Sequence, residues 1–214
     1  MKQALKTICE EIAMLPAVEA KTFQDGRTVL IIVDMVNGFL TQGVMASPRC
    51  AGILPETEKL LRFAKKHRIP AIAFADCHEP DCMEFTAFPP HCIRGTEEAE
   101  LAPSLREIGG FVRIEKNSTN GCLTQAFQEQ LNAHPEWERF VVCGVCTDIC
   151  VMQFALTLQC QCNQQNRKAD VLVPVNAVET YDAPGHNGDL MQTMALRMMQ
   201  QAGIRLTAEV RYNG

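Results

Sequence analysis

The chain has 214 residues, 47% hydrophobic and 21% charged, the balance of one ordinary globular domain with ample apolar material for a core. A net charge of −5 without a Lys/Arg-rich run gives no electrostatic footprint for nucleic acid, and no apolar stretch approaches the ~20 residues that span a bilayer. Eleven cysteines, odd in number and irregularly spaced, argue against an extracellular disulfide framework and read as small buried hydrophobes of a reducing compartment.

Met1 to Ala20 carries Glu10 and Glu11 in its middle and so lacks the apolar centre of a signal peptide. It is expected to form a short amphipathic helix packed on the domain, within a helical extension over residues 1–24, and the protein is expected to be cytoplasmic. Val29 to Val33 is a continuous apolar run, as in a strand buried on both faces. A helix after Pro55 places Leu60, Phe63 and Ala64 on one face. Ala71 to Ala75 and Phe111 to Ile114 are the next strand candidates, and the non-periodic segment between His78 and Leu101 is too long for an idle connection. Ser118 and Thr119 are read as caps of a helix presenting Leu123, Phe127 and Leu131. Phe140 to Cys143 reads as a strand and leads to a helix with Val151, Phe154, Ala155 and Leu158 on one side. After a strand over Val171 to Val175, Met191, Met194, Ala195 and Met198 are read as the core face of a last helix before Gly203. Arg205 to Val210 is a weaker final strand. The expectation is a single α/β domain over 1–214: a doubly wound, six-stranded, mostly parallel sheet with helices on both faces.

Such sheets bind ligands beyond the carboxyl ends of their strands. That rule selects Asp34, Asp76, His78, Lys116 and the segment Gly144 to Cys150. Cys150 follows a strand and a Gly-containing turn and opens a helix, where the macrodipole favours a thiolate and free amides can hold an oxyanion. Alone, it reads equally as a buried structural cysteine. Asp34 ends an apolar strand and must be solvated or paired, or else caps the next segment. Lys116 alone would be a solvated surface lysine. Asp76 and His78, two residues apart, project to the same side of extended chain. With Glu84 and His91 they form a donor set suited to zinc, manganese or iron(II), although hydrogen-bonded loop histidines are the plainer reading. Cys77 with Cys82, and Cys160 with Cys162, lack the paired spacing of a structural zinc site.

Taken in order, Val33-Asp34-Met35-Val36-Asn37-Gly38-Phe39, Asp76-x-His78, Phe88-Pro89-Pro90-His91, Lys116 and Gly144-Val145-Cys146-Thr147-Asp148-Ile149-Cys150 resemble the isochorismatase-like cysteine hydrolases, and among them the nicotinamidases. The resemblance runs from Leu30 to Ile204. It implies catalytic roles for Asp34, Lys116 and Cys150, an oxyanion hole from the Cys146 and Cys150 backbone N–H groups, and a cis peptide at Val145–Cys146. It also implies that Asp76, His78 and His91 hold one divalent metal, zinc first with manganese or iron as alternatives, which takes the ring nitrogen of the substrate. Glu84 matches an additional acidic ligand, whereas other members carry a histidine at the position of Cys82; Glu84 is preferred. Phe39, Phe88 and Val145 are candidate substrate contacts, the two rings as walls. The implied partners are a small-molecule amide and further copies of the chain in a homodimer or homotetramer, with neither nucleic acid nor membrane. Val36 and Gly38 depart from the usual Gln and Asp, Cys77 and Phe88 from Trp, and Asn176 from Asp. Another small amide or carbamoyl substrate, or a catalytically silent ligand-binding member, remain alternatives.

Overall fold

In a computed structural model, which describes residues 2–212, the chain begins with α1 (Lys2–Ala13) and β1 (Val18–Glu19). β2 (Thr28–Val33), α2 (Asn37–Leu40), α3 (Pro48–Gly52), α4 (Leu54–Lys66) and β3 (Ala71–Asp76) follow. Next come α5 (Pro103–Ile108), β4 (Val112–Lys116), α6 (Gln125–Ala133) and β5 (Arg139–Val145). The last elements are α7 (Met152–Gln164), β6 (Asp170–Pro174), β7 (Val178–Glu179), α8 (Gly188–Gln201), β8 (Arg205–Thr207) and β9 (Val210–Arg211). Met1, Asn213 and Gly214, which the single-domain expectation included, lie outside the described residues.

The strand order is β4-β3-β2-β5-β6-β8, with β7 joined to the end of β5, and every pair is parallel. The sheet therefore has seven strands where six were expected; β7 spans two residues, too few for any periodicity. All residues of β2 and β3 are buried, because helices cover both faces. The order of strands reverses between β2 and β5, so their carboxyl ends flank the crevice in which such folds bind ligands. These two strands approach closely at Gly144, where φ is +117° and a Cβ would lie 2.0 Å from the Val33 carbonyl oxygen. Glycine alone fits there.

Several local expectations are corrected. α1 ends at Ala13 rather than Ala20, because Pro16 stops the helix and β1 starts two residues later. Ile12 and Leu15 pack on the core, and Glu11 meets Arg197 of α8 at 3.0 Å. The strand expected over Arg205 to Val210 divides: β8 stays in the main sheet, and β9 pairs with β1 in a separate two-stranded sheet. α6 is capped by Thr124, whose side chain accepts from Phe127 N, and not by Ser118 or Thr119; Leu123 precedes the helix and is exposed. On α8 the core face is Ala195, Leu196 and Met199, while Met194 and Met198 point outward. Among the described residues no helix is long and apolar enough to cross a membrane.

Candidate active site

Asp34, Lys116 and Cys150 come from three different strand ends and meet. Asp34 follows β2 with φ +52°, a left-handed conformation that Asp tolerates better than most residues, and its N–H donates to the Phe74 carbonyl at 3.1 Å. Lys116 is the last residue of β4 rather than a residue beyond it, and its side chain is fully buried. A buried ammonium requires close anionic partners. Lys116 has two: Nζ lies 2.6 Å from Asp76 Oδ1 and 2.8 Å from Asp34 Oδ2. The first is an aligned hydrogen bond; the second is an ion pair without that alignment. Cys150 Sγ is 3.7 Å from the same nitrogen.

The charges follow from this packing. Burial pushes the Asp34 carboxyl up to about 6, with Lys116 opposing and Asp76 reinforcing the rise. Burial also disfavours the Lys116 ammonium, but Asp34 and Asp76 outweigh it and hold the group well above its ordinary value. For Cys150 the expected lowering of the thiol is overturned. Burial pushes the thiol up, Lys116 pulls it down, and Asp34 and Asp76 push it up again, so it lies well above the ordinary value. A thiol pushed up thus sits beside a carboxyl raised to about 6, an arrangement suited to proton transfer during attack.

Cys150 sits in a π-turn, Thr147–Val151, that runs directly into α7. Turns of this kind concentrate at functional positions. The peptide Val145–Cys146 is cis. The Cys146 carbonyl accepts from the N–H groups of Ile149 and Val151, both at 3.1 Å, which folds the turn back on itself and sets Cys146 beside Cys150.

The second cluster joins Asp76, the last residue of β3, to the His78 to Leu101 segment. One ligand atom from each of Asp76, His78, Glu84 and His91 lies within 4.8 Å of the others. Asp76 Oδ2 is 3.2 Å from His78 Nε2 and 3.3 Å from His91 Nε2, and Glu84 Oε1 is 3.7 Å from His78 Nε2. Buried His78 Nε2 has no aligned hydrogen-bond partner, an orphaned donor atom of the kind a metal satisfies. The other ring nitrogens face outward: His91 Nδ1 donates to the Pro89 carbonyl at 2.8 Å, and His78 Nδ1 is 3.4 Å from Cys82 Sγ. Such outer contacts orient metal-binding imidazoles. Cys82 therefore lies behind the His78 ring, while Glu84 turns its Oε1 toward the other candidate donor atoms. Glu84 is held by the Thr119 N–H, which donates to its Oε2 at 2.8 Å. Burial raises Asp76, but Lys116, His78 and His91 together hold it below the usual carboxylate range. Asp34, Asp76 and Glu84 outnumber the single ammonium of Lys116, and a divalent cation would balance the excess. The donor set fits such an ion.

A narrow pocket joins the two clusters. Cys146 and Cys150 form one side, Asp76, Glu84 and His91 another, and Phe39 and Phe88 contribute rings. Ile149 and Thr119 complete the lining; neither was expected, since an Ile in a turn and a Thr in a loop carry no chemical signal. Val145 is fully buried and does not line the pocket, so the expected substrate contact by its side chain is corrected. Gly38 also becomes intelligible: a Cβ there would lie 2.4 Å from Cys92 Sγ and 3.1 Å from the Glu98 carbonyl oxygen, leaving no room for a larger side chain.

The isochorismatase domain family matches residues 28–209. Nicotinamidase 1 of Arabidopsis thaliana is 32% identical over 217 residues, covering 88% of each chain. Among solved structures, the pyrazinamidase of Pyrococcus horikoshii in complex with zinc is 25% identical, with a TM-score of 0.69 over 85% of this chain and 98% of that one. N-carbamoylsarcosine amidase from Thermoplasma acidophilum shares the fold at 23% identity, with a TM-score of 0.68 over 85% and 95% of the two chains. With nearly the whole sheet and both clusters inside the matched span, the chain belongs to the isochorismatase family.

Proposed function

We propose that the chain is a metal-dependent cysteine amidohydrolase that converts nicotinamide and water to nicotinate and ammonia. The observation that carries this reading is the shared pocket, with a cysteine thiol on one wall and a carboxylate–histidine cluster on another. Phe39 and Phe88 on its lining supply aromatic faces for a ring bearing a carboxamide. The similarity to a nicotinamidase and to a zinc-bound pyrazinamidase supports the same substrate class.

In this mechanism Asp34 accepts the Cys150 proton as Sγ attacks the carboxamide carbon. The resulting oxyanion is held by the Cys146 and Cys150 N–H groups, each such donor being worth roughly 2.7–4 kcal/mol in the transition state. Asp34 then protonates the departing ammonia, leaving a Cys150 thioester. It next takes a proton from water, which attacks the thioester carbon, and returns the proton to Sγ as the acid leaves. Throughout, Lys116 offsets the negative charge that moves between Asp34 and Cys150. A divalent metal on Asp76, His78, Glu84 and His91 would supply a Lewis-acid contact for a ring nitrogen.

Ammonia release from nicotinamide, measured beside a panel of small amides and carbamoyl compounds, tests the substrate. Preference for another amide would retain the chemistry and reject nicotinamide. Cys150→Ala should abolish turnover, by at least about 10⁴-fold, while circular dichroism and metal content stay as in the wild type. Undiminished turnover would reject Cys150 as the nucleophile.

A further inference from the structure

Asp148 lies in the turn between Cys146 and Cys150, yet its side chain is absent from the pocket lining. Its carboxylate, 4% exposed, meets the segment that joins β7 to α8. Oδ1 accepts from Thr180 Oγ1 at 2.5 Å, and Oδ2 is 2.8 Å from His186 Nε2. These partners are 32 and 38 residues away in sequence, so neither contact is a product of local chain geometry. His186 is itself fixed. Its ring stacks on Tyr181 with centroids 3.9 Å apart and planes 8° from parallel, and Nδ1 is 3.1 Å from the Tyr181 carbonyl oxygen.

Both ring nitrogens of His186 thus face acceptors, the Asp148 carboxylate and the Tyr181 carbonyl. The other charged groups of this region are engaged elsewhere. Arg49 pairs with Glu179 at 2.9 Å and Asp189 at 2.8 Å, and Asp182 accepts from the Gly188 N–H at 2.7 Å. Among the described residues, no other basic side chain reaches Asp148 within ion-pair distance. The amides proposed to hold the oxyanion belong to residues on either side of Asp148, so a rotation at Asp148 would move both. An oxyanion hole acts only if its donors are aimed before the charge develops.

We propose that His186 is a positioning residue for the nucleophile turn: through Asp148 it fixes the Cys146 and Cys150 amides against the reacting carbonyl without touching substrate. The inference rests on the amide-hydrolysis reading of the site.

Its test uses the metal-loaded full chain as wild type, His186→Ala, Asp148→Asn and the double variant. Three quantities are measured: steady-state ammonia release, binding of pyridine-3-carboxaldehyde, and iodoacetamide labelling of Cys150 followed by peptide mass spectrometry. The aldehyde forms a tetrahedral adduct with a thiol and so reads the oxyanion hole; alkylation involves no oxyanion and reads the thiol alone. His186→Ala should lower kcat by about tenfold to hundredfold with KM changed by less than about threefold. Aldehyde affinity should fall in parallel, labelling should be unchanged, and the double variant should be no worse than the poorer single one. If His186→Ala does not fold, Asp148→Asn, which keeps the side-chain shape, carries the same expectation. Unchanged kcat and aldehyde affinity would overturn the proposal. So would losses shared by labelling or metal content, or losses that add in the double variant. A wild type that binds the aldehyde but hydrolyses no amide would reject the substrate reading alone, and aldehyde affinity across the variants would then decide the positioning role.

Discussion

Asp76 Oδ1 lies 2.6 Å from Lys116 Nζ, and this contact joins two side-chain groups that would otherwise be separate sites. The other oxygen of Asp76 faces His78 and His91, while Lys116 also meets Asp34 and Cys150. One carboxylate is therefore shared between the candidate metal cluster and the candidate nucleophile. Charge added at either end is felt at the other through two short contacts in a water-poor interior, where such interactions are strong.

Replacing Lys116 should cost stability as well as activity. In Lys116→Met, Asp34 and Asp76 remain buried without their cation, a loss of about 3–5 kcal/mol for a broken buried pair. Asp34 already has a carboxyl raised to about 6, and Lys116 is one of the groups holding it down; without it the value rises further. A carboxyl raised above its unfolded value stabilises the fold when protonated, and that contribution disappears as pH climbs through the folded value. Urea denaturation should therefore show the deficit of the variant growing from pH 5 to pH 8. A deficit that shrinks over this range would contradict the charge assignment.

The pH dependence of turnover should carry the same signature. Asp34 accepts a proton only when ionised, so kcat/KM should rise with pH on a limb near 6, where burial has moved its carboxyl. Below that limb the protonated form predominates and attack stalls. Asp34→Asn should lose most activity and the limb with it; a limb that persists in this variant would assign it to another group.

Metal analysis examines the second cluster. Chelator-free protein should contain about one divalent transition metal per chain, lost in His78→Ala. Cys82→Ser, which alters a contact behind His78, should weaken metal affinity by no more than about tenfold to hundredfold, and Glu84→Gln, which alters a donor group itself, should weaken it further. Competition with a chelating dye would rank the three variants, and the reverse order of Glu84 and Cys82 would exchange their roles.

Gly144→Ala examines the seam between β2 and β5. Its Cβ would lie 2.0 Å from the Val33 carbonyl oxygen and 2.7 Å from the Val33 nitrogen, and neither backbone atom can swing aside as a side chain would. The variant should lose more than about 4 kcal/mol, seen as a lowered denaturation midpoint or as insoluble chain. A wild-type midpoint would show that the strands can separate locally.

The main strands and the two clusters were legible because their signals are chemical and local. Val29 to Val33 has no polar residue to suggest an exposed face, and Asp34 follows that run directly, while Cys150 opens the helix after the apolar strand Phe140 to Cys143. Other features depend on contacts distant in sequence. Thr124 caps α6 although Ser118 and Thr119 are equally good caps by composition, because the chain between them is used to hold Glu84 through Thr119 N–H. Met194 and Met198 face outward although they are apolar, because the rotation of α8 is set by Leu196 and Met199 against the sheet. The thiol of Cys150 was expected to be lowered by the helix terminus. Burial reverses that outcome, reinforced by Asp34 and Asp76, and neither carboxylate lies near Cys150 in sequence.

The pairing of β2 with β5, Thr28 opposite Arg139 through Val33 opposite Gly144, also has a consequence for how the protein comes into being. Asp34 and Cys150 belong to segments that local folding cannot bring together, since β3, β4 and their helices intervene in the chain. Long-range parallel pairing is the slow part of forming such a topology. In refolding from denaturant, helical content should therefore return before catalytic competence. Activity then serves as a clock for the closing of the central seam.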